Sequence, residues 1–82
     1  MAGVAVRITY DSASDAATVY LVDEIGPGGA PRSIMCDLEI REGAVILLLS
    51  EEDRLVGIEV LGARKLLPRQ LLEEATPPEA PD

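Results

Sequence analysis

The sequence predicts an α+β fold: a five-stranded antiparallel sheet with one short C-terminal helix. Three observations carry this expectation. Apolar residues alternate with period two along Val4–Tyr10, Ala17–Val22 and Arg54–Leu61, as in half-buried strands. Clusters rich in Asp, Ser, Gly or Pro punctuate the runs and mark turns. Helical spacing occurs once, near the C-terminus.

The elements follow in order. Val4, Val6, Ile8 and Tyr10 alternate with Ala5, Arg7 and Thr9, which gives the first strand. Asp11-Ser-Ala-Ser-Asp15 is a turn whose side chains bond nearby backbone groups. In the second strand, Ala17–Val22, Val19 and Leu21 share one face. The connection is short, so the two strands form an antiparallel hairpin. Gly26-Pro-Gly-Gly-Ala-Pro31 cannot hold a ladder and reads as a loop. Arg32–Leu38 is the third strand, with Ile34, Cys36 and Leu38 on one face and Met35 on the other. Glu39–Gly43 is a turn or a ragged extension. Ala44–Leu49 is continuously apolar and too short for a helix, which reads as a central strand covered on both faces. Ser50–Asp53 is a turn, and Arg54–Leu61 is the fifth strand, ended by Gly62. Pro68 suits the first turn of a helix, where its missing N–H is not needed. Leu67, Leu71, Leu72 and Ala75 supply the apolar stripe of that helix.

Length and composition set the limits. A chain of 82 residues allows one domain, residues 1–75. The tail, residues 76–82, has three prolines and no side chain suited to a core, and is expected to be disordered. A chain this short buries only roughly 60–65% of its unfolded surface. Tyr10 and Tyr20 are its only aromatic residues, so the core falls to Val, Leu, Ile and Ala. One short helix cannot cover both faces of the apolar strand. A homodimer packed face to face is the expected remedy.

Several functions are excluded or disfavoured. No His is present, which removes His-based triads and imidazole metal ligands. One Cys forms neither an internal disulfide nor a Cys-rich zinc site. Asp and Glu number 15 against 7 Lys and Arg, a formal charge of −8. That balance opposes nucleic-acid binding and adhesion to anionic membranes. No apolar stretch reaches the length of a membrane span. The N-terminus lacks the pattern of a signal peptide, so a cytoplasmic location is the expectation.

Two blocks resemble a known family. Ile8-Thr-Tyr-Asp-Ser-Ala-Ser-Asp-Ala16 with Tyr20-Leu21, and Arg54-Leu-Val-Gly-Ile-Glu-Val-Leu-Gly-Ala63 with Leu67-Pro68, are similar to the DUF2283 family of small bacterial and archaeal proteins. The resemblance covers roughly residues 6–72. It implies a small sheet protein of uncharacterised function and supplies no catalytic residues. The family's turn before Arg-Leu-Val-Gly is Asp-rich and ends in Gly. Here Asp53 stands in the Gly place, a left-handed position that Asp tolerates at some cost. Leu48 and Ser50 stand where acidic residues are common, which weakens any cation site there.

Candidate chemistry is sparse. Asp11 and Asp15 could offer oxygen ligands to a hard cation, with Glu51, Glu52 or Asp53 from another turn. The simpler reading is that Asp11 caps its turn and Asp15 starts the next strand. The EF-hand order is absent. Cys36 lies between Met35 and Asp37 and reads as a small buried hydrophobe rather than a nucleophile. Glu59 could serve acid–base work, but solvent or a cross-strand Arg such as Arg7 or Arg32 is the simpler partner. Gly26-Pro-Gly-Gly29 fails the P-loop pattern. Arg64, Lys65 and Arg69 could grip an anion. They read instead as solvated cations near the helix that offset Glu73 and Glu74.

The leading functional expectation is a non-enzymatic, homodimeric interaction or structural module with no cofactor and no catalytic residue. One alternative is a regulatory binder whose acidic surface (Asp23, Glu24, Glu51, Glu52, Asp53) meets a basic partner protein. The other is a carboxylate-based metal-binding protein or hydrolase using Asp11, Asp15 and Glu59.

Overall fold

The computed structural model describes residues 6–36 and 43–78. It contains strands β1 (Arg7–Asp11), β2 (Ala16–Tyr20), β3 (Arg32–Met35), β4 (Ala44–Leu49) and β5 (Leu55–Leu61). Helices α1 (Ala63–Leu66) and α2 (Arg69–Glu74) follow. The strands form one sheet in the order β1-β2-β5-β4-β3, and every neighbouring pair is antiparallel. This is the expected α+β arrangement. The expected strand positions Val4 and Leu38, the turn residues 39–42 and the tail residues 79–82 lie outside the described residues.

Three expectations need correction. First, the C-terminal helical region is two short helices. Leu67 precedes a proline, and the Pro68 ring disfavours helical backbone at that position. Leu67 accordingly adopts an extended conformation (φ −105°, ψ 150°) and separates α1 from α2. Pro68 stands just before α2 rather than inside its first turn. Second, β4 lies inside the sheet, but the middle strand is β5. A continuous apolar run signals burial, not rank within the sheet. Third, β2 ends at Tyr20, two residues before Val22.

Register assigns the two faces. Ala17 lies opposite Tyr10 and Val60, and Val45 lies opposite Val60. Tyr10, Ile58, Leu66, Leu67 and Leu72 pack on the buried cluster Ala17, Val60 and Ala63, so the helices cover this face. On the other face one row runs Thr9, Thr18, Glu59, Ile46, Met35. Loop residue Ile25 covers part of it: a Cβ at Gly57 would lie 2.9 Å from Ile25 Cδ1. All six residues of β4 are only half-buried.

The chain beyond α2 returns to the sheet. Tyr10 N–H donates to the Thr76 carbonyl at 2.8 Å, and Thr76 N–H donates to the Ile8 carbonyl at 3.1 Å. Thr76 thus makes one parallel bridge to Thr9 on the outer edge of β1. Thr9 is buried.

Gly43, at the entry to β4, meets the sheet closely. A Cβ there would overlap the Leu61 carbonyl oxygen and crowd Leu66 Cδ1 at 2.7 Å. Gly43→Ala should therefore destabilise the fold by about 1–3 kcal/mol, the usual range for overpacking. Urea unfolding would measure it, and an unchanged midpoint would contradict this packing.

Candidate functional site

The best-organised polar cluster joins the β1–β2 turn to α1. Asp15 ends the turn in the left-handed region, at φ 55°. That backbone turns both its carbonyl and its carboxylate toward residues 62–64. The N–H groups of Gly62 and Ala63 each donate to the Asp15 carbonyl at 3.0 Å. Arg64 N–H donates to Asp15 Oδ1 at 2.9 Å, and Tyr10 Oη donates to the same oxygen at 2.7 Å. The first N–H groups of a helix have no partner within it. Gly62, at φ 74°, has no side chain to cap α1. Asp15 does so from 47 positions upstream.

The charges reinforce the clamp. The Tyr10 hydrogen bond holds the Asp15 carboxyl below its ordinary value, with help from Arg64 and Lys65. The Arg64 guanidinium is raised, first by Tyr10 and then by Asp15. Sequence reasoning placed Asp15 at the start of β2 and missed this role. The local signal was a lone Asp ending a turn. Its recipients lie far along the chain, where no spacing rule reaches.

The other candidate residues are dispersed. Asp11 Oδ1 accepts from Ala13 N–H at 3.0 Å, the expected cap of its turn. Among the described residues no three His, Cys, Asp or Glu side chains are placed to hold a metal ion. Asp53 occupies the left-handed position at φ 62°, and its carboxylate pairs with Arg32. Ser50 Oγ caps this turn, accepting from Glu52 N–H at 3.3 Å and Arg54 N–H at 3.2 Å. Glu51 and Glu52 are exposed beside it, as are Asp23 and Glu24 on the loop after β2. Cys36 is half-buried just after β3. Gly26 and Gly29 close a turn, with Gly29 N–H donating to the Gly26 carbonyl at 2.9 Å.

Glu59 is half-buried and lies opposite Thr18 and Ile46. The expected arginine partners are engaged elsewhere. Arg7 donates to the Asp23 carbonyl from Nε at 3.2 Å and Nη2 at 3.0 Å, and its guanidinium lies 3.9 Å over the Tyr20 ring. Arg32 pairs with Asp53. The cross-strand register, not sequence separation, decides which side chains meet.

Concavities among the described residues include two beside β1. One of about 170 Å³ is lined by Arg7, Thr9, Tyr20, Glu24, Ile25 and Pro78. It is smaller than ordinary ligand sites, which run to roughly 300–1,000 Å³. The other, about 350 Å³, is an open groove between β1 and α2 near Val6, Ile8, Leu71 and Ala75. The first brings the hydroxyls of Thr9 and Tyr20 to the same lining as the Glu24 carboxylate, and the second has Thr76 and Glu74 on its lining.

The clamp yields a pH-dependent prediction. The folded Asp15 carboxyl sits below its ordinary 3.8. Its stabilisation is therefore fully present above that value and is lost as pH falls through the lower folded value. Asp15→Asn keeps an acceptor but removes the charge, so its deficit in melting temperature should be present at pH 7 and should close toward pH 2. Tyr10→Phe should destabilise by about 1 kcal/mol, the net worth of one hydrogen bond. A pH-independent Asp15→Asn deficit would contradict the assigned charge effect.

No curated protein and no solved structure matches the chain closely enough to add a relative. A family model does match, over residues 7–64, from the first residue of β1 into α1. The matched segment contains the whole sheet and both halves of the Asp15 clamp. The chain belongs to the DUF2283 family, a protein family of unknown function.

Proposed function

We propose that the chain is a non-enzymatic, homodimeric interaction module. Apolar side chains left partly in water along β3 and β4 carry this reading. Val45, Ile46, Leu47, Leu48 and Leu49 are large apolar residues on an interior strand, yet none is fully buried. The fully buried apolar residues among those described are Ala17, Val60 and Ala63. Complete burial of a Val, Leu or Ile side chain is worth about 1.5–3 kcal/mol. Partial exposure leaves some of that unrealised on β4 and more on β3, where Ile34 and Met35 are 46% and 63% exposed, and a second copy supplies matching apolar surface. The polar groups support the non-enzymatic part. Asp15 serves α1, Asp11 serves its own turn, and Arg7 is held by Asp23 and Tyr20.

Sedimentation equilibrium at micromolar concentration should give twice the chain mass of 8.7 kDa. Tenfold dilution should lower the melting temperature by about 5 °C, because folding and association are linked. A single 8.7 kDa species with a concentration-independent melt would overturn the proposal.

A carboxylate-based metal site makes the opposite forecast for titration calorimetry. With Mg²⁺, Ca²⁺ or Mn²⁺ at millimolar concentration the interaction module should give only heats of dilution. A saturable heat lost in Asp11→Asn or Asp15→Asn would favour the metal reading.

A further inference from the structure

We propose that the free edge of β3 pairs antiparallel with β3 of a second copy, joining two five-stranded sheets into one of ten strands. This rests on the self-association reading above and assigns it a surface. The two edges of the sheet differ. On β1 the outward backbone groups of Ile8 and Tyr10 are engaged by Thr76. On β3 the pairing runs only inward, to β4, among the described residues.

One bond fixes which β3 groups face outward. Cys36 N–H donates to the Val45 carbonyl at 2.8 Å. Alternate residues of an antiparallel strand bond to the same neighbour, so Ile34 and Arg32 also face β4. Ser33 and Met35 then direct N–H and C=O away from the sheet. A two-fold axis through Ile34 sets Ser33 opposite Met35 of the second copy, and the reverse. Each pair exchanges two N–H···O=C bonds. The two Ile34 residues meet between them at a close, non-hydrogen-bonded position.

Self-complementarity and charge point to a copy of the chain as the occupant: outward Ser33 and Met35 flank Ile34 symmetrically, and this edge escapes the repulsion between two acidic chains. At a formal −8, two copies repel over most approaches. The β3 edge is locally neutral: Ser33, Ile34, Met35 and Cys36 are uncharged, and Arg32 is balanced by Asp53. A neutral edge favours a neutral strand, and β3 itself is one. Ile34 and Met35 are 46% and 63% exposed, so pairing also removes apolar surface from water. Packing the open face against its twin would instead bury Glu59, a costly step for a carboxylate. Edge pairing leaves Glu59 at the solvent face.

Proline tests this without breaking the fold, because the Ser33 and Met35 N–H groups point away from β4 and bond nothing among the described residues. Ser33→Pro and Met35→Pro should keep the native circular dichroism spectrum. Each removes two junction bonds per dimer and should raise the dissociation constant at least about thirtyfold in sedimentation equilibrium. Ile34→Cys in a Cys36→Ser background should oxidise to a covalent dimer, since facing Cα atoms at such a position are about 4.5 Å apart. Folded proline variants that dimerise as tightly as wild type would overturn the edge assignment while leaving self-association intact. A wild-type monomer would overturn both. An unpaired β3 that accepts a strand from a different protein would assign the edge to another occupant and also overturn it.

Discussion

Helices of four and six residues have to cover a five-stranded sheet, and they are too small for it. Five strands at about 4.8 Å spacing span roughly 20–25 Å, whereas a helix is about 10 Å wide. The covering is therefore uneven. The buried cluster gathers where β2 and β5 meet the helices, at Ala17, Val60 and Ala63. Toward β3 the side chains emerge into water, as Ile34 and Met35 do. A core built without Phe or Trp has little volume with which to compensate. The half-buried state of β4 and the exposure of Ile34 and Met35 on β3 follow from this geometry, and the self-association reading follows from both strands.

The position of the covering depends on Asp15. A helix of four residues has almost no cooperativity of its own and persists only if held from outside. Asp15 supplies that hold by accepting three backbone N–H groups at the start of α1. Leu66 and Leu67 are thereby delivered to the sheet, and Pro68 starts α2 at a fixed point. A carboxylate that looks at first like a cation ligand is thus spent on architecture. The same holds for Asp11 in its turn and for Asp53 beside Arg32.

Much of the fold was legible in the sequence. Period-two alternation located the strands, and β4 runs from Ala44 to Leu49 as the apolar run indicated. The left-handed place of Asp53 was readable because the resembling family uses Gly there. Local pattern failed where distant residues decide. The split of the helical region followed from Pro68, but α1 forms because Asp15 caps it across the molecule. The central place of β5 and the partners of Glu59 depend on strand order, which apolar patterning does not encode. Thr76 bridges to β1 mainly through backbone groups, with its hydroxyl donating to the Ile8 carbonyl at 3.4 Å, so a Pro-rich composition concealed its attachment.

Amide hydrogen exchange at Ser33 and Met35 reads the unfinished edge most directly. In a chain completed by its twin these two amides are protected at high protein concentration and lose protection on dilution, while the inward-facing Ile34 amide stays protected throughout. Rapid exchange at Ser33 and Met35 at every concentration, in a chain whose Ile34 amide remains protected, would show that the β3 edge faces water and that one copy is sufficient.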